Sequence, residues 1–430
     1  MSDDKVLLKC AWRLIPFMTL LYLVNFLDRV NVGFAALTMN RDLHLSPAVF
    51  GFGAGIFFVG YAAFQVPANV ILQRIGARRW ICLIMLLWGA ISASTAFVQT
   101  ATGLYVLRFL LGAAEAGFVP GMFFYLTLWF PPAYRARFIA TFMMAAPLSG
   151  VIGSPLSGYL LNMEGVLGLH GWQWLFLIEG VPACVLGLVV LYYLPDNPLS
   201  ASWLSSDERR TIAARLATED TTHHHHDLWR ALLDPRVIAL GLVNFGVLAG
   251  ANGVSLWLPQ IVQSTFGLTN VLTGFVVALP NLVSAVVMVL WGLSSDSKDE
   301  RVWHVAIPAL VASSSFMLAS FTQIDVVMLI ALSLTQVMLW SAIAPLIALP
   351  STFLSGQARA GGIALVVSIG QIGSFSGSWL IGSLKERTGD YAASMAAVGL
   401  ILLVSGLIVL AFGRASRQSE NRDAQPSRAS

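Results

Sequence analysis

The feature that most constrains this chain is a series of twelve apolar runs, each long enough to cross a bilayer. A helix needs about 20 largely apolar residues to span the hydrocarbon. Segments 12–36, 48–72, 80–100, 103–128, 136–161, 172–194, 236–262, 270–293, 303–322, 325–350, 357–383 and 391–413 meet that length. Composition agrees. The 430 residues are 57% hydrophobic and only 11% charged, against about a quarter charged in a soluble domain, and the mean hydropathy is +0.75. Such a surface suits lipid and not water. The expected fold class is an all-α membrane protein with 12 transmembrane helices in two six-helix bundles. Residues 1–195 form the first bundle and 236–413 the second. A polar central loop, 196–235, separates them, and 414–430 is a tail.

Charge sets the orientation. Of the 25 Lys and Arg residues, 20 fall on one side: at the N-terminus, in alternate connectors, in the central loop and in the tail. Arg41, Lys385 and Arg387 fall on the other. The positive-inside rule then places both termini and the central loop in the cytoplasm. The basic residues sit in short connectors and gather on no single face, so no nucleic-acid partner is expected. Cys10, Cys82 and Cys184 have neither disulfide nor zinc spacing. The first apolar run lacks a small-residue cleavage site and reads as a retained helix. An enzyme embedded in the membrane would need a nucleophile–base pair or a metal set within the spans. No mid-span His and no Gly-x-Ser-x-Gly elbow is present. No repeated charged ring suggests a channel.

Four charges stand where lipid-facing helices should have none: Asp28 and Arg29 on the first span, Arg108 and Glu115 on the fourth. Each costs about 2.5–3.5 kcal/mol at the bilayer centre on insertion scales. Arg108 and Glu115 are seven apart, so they share a helix face with about 10 Å between them along the axis. Asp28 and Arg29 are adjacent and diverge by about 100°. Asn25 lies three and four residues before them, which puts an amide beside both. Two positive and two negative groups leave the empty site neutral. As packing alone the four are hard to justify, because buried ion pairs add little net stability over apolar replacements. They suit the carriage of an organic anion. A guanidinium holds both oxygens of a carboxylate, and a buried carboxyl takes up a proton.

These residues carry a resemblance. Asn25-Phe-Leu-Asp28-Arg29-Val-Asn31-Val-Gly33 resembles the first-helix signature of the anion:cation symporter family within the major facilitator superfamily. Arg108-Phe-Leu-Leu-Gly112-Ala-Ala-Glu115-Ala-Gly117 resembles its fourth-helix motif. Trp172-Gln-Trp174 through Glu179-Gly180-Val-Pro182, and Leu194-Pro195-Asp196-Asn197-Pro198, also look like that family. The resemblance implies a twelve-helix fold with a central cavity and alternating access in a bacterial inner membrane. It implies that Arg29 contacts the substrate carboxylate, that Arg108 pairs with Glu115, that Asp28 and Glu115 carry protons, and that Tyr61 lines the cavity. It implies no cofactor, the proton gradient being the drive, and a monomer is expected. Where the family commonly has a Gly-Asn step, this chain has Gly370-Gln371. That departure leans toward an aromatic acid, with hydroxy carboxylates still open.

The second half offers neutral polar candidates: Asn244, Asn252, Asn281, Gln336 and Gln371. Trp257 is a further candidate for contact with substrate, set among Gly241, Gly246, Gly250, Gly253 and Pro259 on a span suited to bending. On the fifth span Gly150, Gly153 and Gly158 with Ser149, Ser154 and Ser157 form a packing face of small residues. Glu179 is expected to bridge helices. His223 to His226 read as a solvated stretch of the central loop, and Asp207 to Arg210 as a surface helix.

Overall fold

The computed structural model describes residues 3–217 and 233–423, so the His223 to His226 tract lies outside the described residues. Among the described residues every regular element is helical. The helices are α1 (Asp3–Asp42), α2 (Pro47–Ile75), α3 (Ala77–Thr95), α4 (Ala101–Glu115), α5 (Phe118–Thr127), α6 (Pro132–Leu160), α7 (Gly171–Tyr193) and α8 (Ser206–Ala217). They continue with α9 (Pro235–Phe266), α10 (Asn270–Ser297), α11 (Val302–Phe321), α12 (Asp325–Ala348), α13 (Gly356–Thr388) and α14 (Ala392–Asp423).

Local chemistry sets the ends. Ser46 accepts the Val49 amide at 3.4 Å and Pro47 follows it, which starts α2. Thr100 accepts from Gly103 at 3.1 Å and starts α4. Gly76, at φ +85°, breaks α2 from α3 in a backbone region that favours glycine. The expected fourth span is not continuous. It bends between α4 and α5 at Ala116-Gly117, and the Gly117 carbonyl accepts the Trp80 indole N–H at 3.1 Å. With α4 and α5 counted as one span, the twelve expected spans each correspond to long helix. Eleven of these pass as candidate membrane spans by length and hydropathy among the described residues. The other, α6, is 29 residues long. Leucines and valines such as Leu83, Leu87, Val181, Val185 and Leu188 point outward from α3 and α7, which suits a lipid environment.

Two compact units result. One comprises Met1–His223 with Pro259–Leu282, the other His224–Leu258 with Val283–Ser430. The stretch Pro259–Leu282, expected in the second bundle, thus groups with the first. The small-residue face of α6 explains this. The Asn281 side chain occupies the space a side chain at Gly150 would need, and the backbone of Asn270 does the same at Gly158. Asn270 also accepts from Gln263 at 2.8 Å and donates to Asn162 at 3.3 Å.

Within the first unit α2 packs on α4, α3 on α7, and α1 on both α6 and α7. Gly60 and Gly112 let α2 and α4 meet backbone to backbone. A side chain at either would strike a carbonyl of the other helix, Phe109 or Phe57. At one end of the unit Lys9 pairs with Glu208 at 2.9 Å and fastens α8 to α1. At the other, Trp172 donates to Asp42 at 3.1 Å, and His170 sits 2.7 Å from Glu164. In the second unit α11 packs on α12 and α14.

Candidate functional site

The four intramembrane charges converge in the first unit, and Glu115 is the hub. It is the last residue of α4 and is fully buried. Its Oε2 accepts from two donors, Asn25 Nδ2 at 2.9 Å and Arg29 Nε at 3.1 Å, and Arg29 Nη2 stands 3.0 Å away as an ion-pair contact. The close α2–α4 contact at Gly60 and Gly112 holds this end of α4 in place. Arg29 is the most open member, its side chain 21% exposed. Its guanidinium carbon lies 5.0 Å from the Phe26 ring centre, 5.3 Å from Phe57 and 5.1 Å from Tyr61. Each such contact contributes about 0.5–2 kcal/mol, more where water is excluded.

One expected pairing is corrected. Glu115 pairs with Arg29 and not with Arg108. The two residues on α4 share a face, but an axial gap of about 10 Å is too long for a direct bond, whereas Arg29 reaches across from α1. Arg108 is buried, donates to the Ala54 carbonyl at 3.4 Å and lies 4.9 Å from the Phe57 ring. Its charge faces Asp28 and Glu115 from beyond ion-pair distance. The Phe57 ring centre therefore has both guanidinium carbons within 5.3 Å.

Asp28 turns the other way on α1, as adjacency requires. It is buried, and its Oδ1 accepts from the Ser92 hydroxyl on α3 and from Asn31 Nδ2 at 3.1 Å. Asn31, at i+3 from Asp28, was open to view in the sequence. Phe26, at i−3 from Arg29, was equally open to view; Ser92 and Phe57 were not, because nothing in their spacing links them to a charge on another helix. Tyr61 and Asn25 both stand at the Arg29–Glu115 pair.

The second unit's candidates fare differently. Trp257 was expected to touch substrate, but it is fully buried and gives its N–H to the Ser378 carbonyl at 3.1 Å. It is a packing residue between α9 and α13. Asn252 gives its amide to Leu248 at 3.3 Å and to Ser374 at 2.9 Å, so it too ties α9 to α13. Asn244 does the same through the Val366 carbonyl at 3.0 Å and fills the space beside Gly370. Gln371 is half-buried on α13. Gln336 is buried on α12.

Comparison with known proteins agrees with the helical fold. The model of the Major Facilitator Superfamily matches residues 18–378. An Agrobacterium vitis protein named for tartrate transport is 48% identical over 419 residues, covering 97% of this chain and 96% of its own length. A Pseudomonas putida protein, NicT, named for metabolite transport, is 40% identical, covering 94% of this chain and 93% of its own. Among solved structures, a bacterial homolog of the human lysosomal transporter Spinster superposes with a TM-score of 0.78 at 18% identity, covering 99% of both chains. This chain belongs to the Major Facilitator Superfamily: it is a multi-pass membrane transporter and not an enzyme.

Proposed function

We propose that this chain carries a small organic anion, a hydroxy carboxylate of the tartrate type, into the bacterial cytoplasm together with protons, by alternating access. One observation carries the reading. Arg29 is a partly exposed guanidinium held by a buried carboxylate and ringed by Phe26, Phe57 and Tyr61. Low-dielectric walls strengthen its pull on an anion. A substrate carboxylate that takes Arg29 displaces Glu115, and the freed carboxylate is neutralised by a proton. Asp28, opposite Arg108, is the second proton site. The name of the Agrobacterium vitis relative supports tartrate over an aromatic acid as the first substrate to test. The excess of basic residues at one set of ends supports cytoplasmic termini in the inner membrane.

The test is uptake of labelled tartrate into proteoliposomes with and without an inward proton gradient. The gradient should drive accumulation in the wild type. Arg29→Ala should abolish it, and Glu115→Gln should retain exchange but lose uphill uptake. Wild-type accumulation that ignores the gradient would refute symport and favour anion exchange.

A further inference from the structure

A fifth ionisable side chain lies beside the site and has no part in the scheme above. Glu179, on α7, is buried, and its Oε1 accepts from Ser157 on α6 at 3.1 Å. Asn31, which donates to Asp28 at 3.1 Å, lies near Glu179 as well. The charged group acting on Glu179 is Asp28, a like charge, and no Arg, Lys or His among the described residues is within ion-pair distance of it. Oε2 of Glu179 and Oδ2 of Asp28 are both buried without a hydrogen-bond donor among the described residues.

Charge balance makes this arrangement informative. Arg29 and Arg108 already offset Asp28 and Glu115, so an ionised Glu179 would be a surplus charge in apolar surroundings. An unpaired carboxylate there is prohibitively costly, and the neutral acid is the form that fits. Position adds a direction. Glu179 is eight residues from Gly171, about 12 Å along α7, whereas Asp28 is fourteen residues from Asp42, about 21 Å along α1. Those two helix ends meet through the Trp172–Asp42 bond. Glu179 therefore lies between Asp28 and the face of the unit opposite Lys9 and Glu208.

We propose that Glu179 is a proton station that loads Asp28 from that face. The step is a relayed transfer: the O–H bond on Glu179 breaks as its proton passes to an intervening water, that water gives a proton to the Asp28 carboxylate, and Glu179 takes its next proton from solvent. Asn31 holds the Asp28 carboxyl and Ser157 the Glu179 carboxyl, each by one hydrogen bond. The inference rests on the symport reading and adds to it a third carboxyl and a side of entry.

The experiment uses the full chain in proteoliposomes, with Glu179→Gln, Asp28→Asn and Ser157→Ala. Infrared spectra at neutral pH should show the carbonyl stretch of a protonated carboxyl in the wild type and in Asp28→Asn, and lose it in Glu179→Gln. A band that persists in Glu179→Gln overturns the assignment, whatever the fate of the transport assay. Gradient-driven tartrate uptake should fall about a hundredfold in Glu179→Gln, the scale on which a positioned proton-transfer group acts, while tartrate counterflow stays at the wild-type level. Ser157→Ala keeps the carboxyl but frees it, and should lie between the two. Normal gradient-driven uptake in Glu179→Gln, beside a coupled wild type, overturns the station and leaves symport standing. A wild type indifferent to the gradient overturns both.

Discussion

Removing Arg29 tests the electrostatics of the site before any transport is measured. Glu115 is fully buried, accepts one hydrogen bond each from Asn25 and Arg29, and has the Arg29 guanidinium 3.0 Å away as its ion-pair partner. Arg29→Ala leaves it with the Asn25 amide alone. Breaking a buried pair so that one charge stays uncompensated costs about 3–5 kcal/mol. Glu115→Gln should cost less, because Arg29 keeps its partial access to water, three aromatic faces and an amide oxygen to donate to. In Arg29→Ala/Glu115→Gln no charge is stranded, so between about 1 and 3 kcal/mol of the first loss should return. The first unit holds about 250 residues, and for a body of that size 3–5 kcal/mol corresponds to a fall of roughly 6–20 °C in the unfolding midpoint. The assay is thermal unfolding of the purified variants in detergent, without substrate and at one pH, read by tryptophan fluorescence. A double variant no more stable than Arg29→Ala would refute the claim that Glu115 is an ionised partner of Arg29.

Three further outcomes follow. Gly112→Ala drives a methyl into the Phe57 carbonyl and should lower stability by about 1–3 kcal/mol or more through overpacking; an unchanged unfolding midpoint would mean that α2 and α4 do not touch there. The Gly171 amide and then His170 hold the Glu164 carboxyl below the usual carboxylate range. Its stabilisation is present above the ordinary carboxylate pKa and is lost as pH falls through the lowered value. Glu164→Gln should therefore flatten the acid limb of stability by under about 1 kcal/mol, since the pair is half-exposed, and an acid limb as steep as the wild type's would count against it. Tartrate affinity, measured by calorimetry, should weaken as pH rises in the wild type and lose most of that dependence in Glu115→Gln; equal slopes would remove Glu115 from the coupling.

Much of this was legible in the sequence, because lipid leaves few solutions. Twelve apolar runs become twelve spans when no other backbone arrangement satisfies its hydrogen bonds in hydrocarbon. The four buried charges were visible for the same reason: their cost demands partners. Partner identity was not visible. Helical spacing sets Arg108 and Glu115 on one face, yet only the tertiary arrangement shows that Arg29 crosses from α1 to take Glu115 first. At the break after Glu115 the Gly117 carbonyl is taken up by Trp80, 37 residues from it in sequence, a contact that no local pattern reveals. Trp257 and Asn252 illustrate the converse. Both are polar-capable side chains on a glycine-rich span, and in the second unit neighbouring backbone and hydroxyl groups already take up their donors.

The geometry also bears on why a proton should accompany the anion. When a substrate carboxylate takes Arg29, it replaces a carboxylate that was already there, so the ion pair gained is close to the one lost. The difference lies in Glu115. Left ionised, it stays buried with only Asn25 to donate to it, at a cost of about 3–5 kcal/mol. By the tenfold-per-1.4 kcal/mol rule that is roughly a hundred- to several-thousandfold in affinity. Once Glu115 is protonated, the stranded charge disappears and the affinity returns. In the proposed cycle, then, the empty site is neutral through Asp28 and Glu115, the loaded site is neutral when the two carboxylates of a tartrate-type dianion take their place, and a proton on each of Asp28 and Glu115 is what makes one exchangeable for the other. A site that bound its anion to a free arginine would need no such exchange and would have no reason to place Glu115 within 3.0 Å of Arg29.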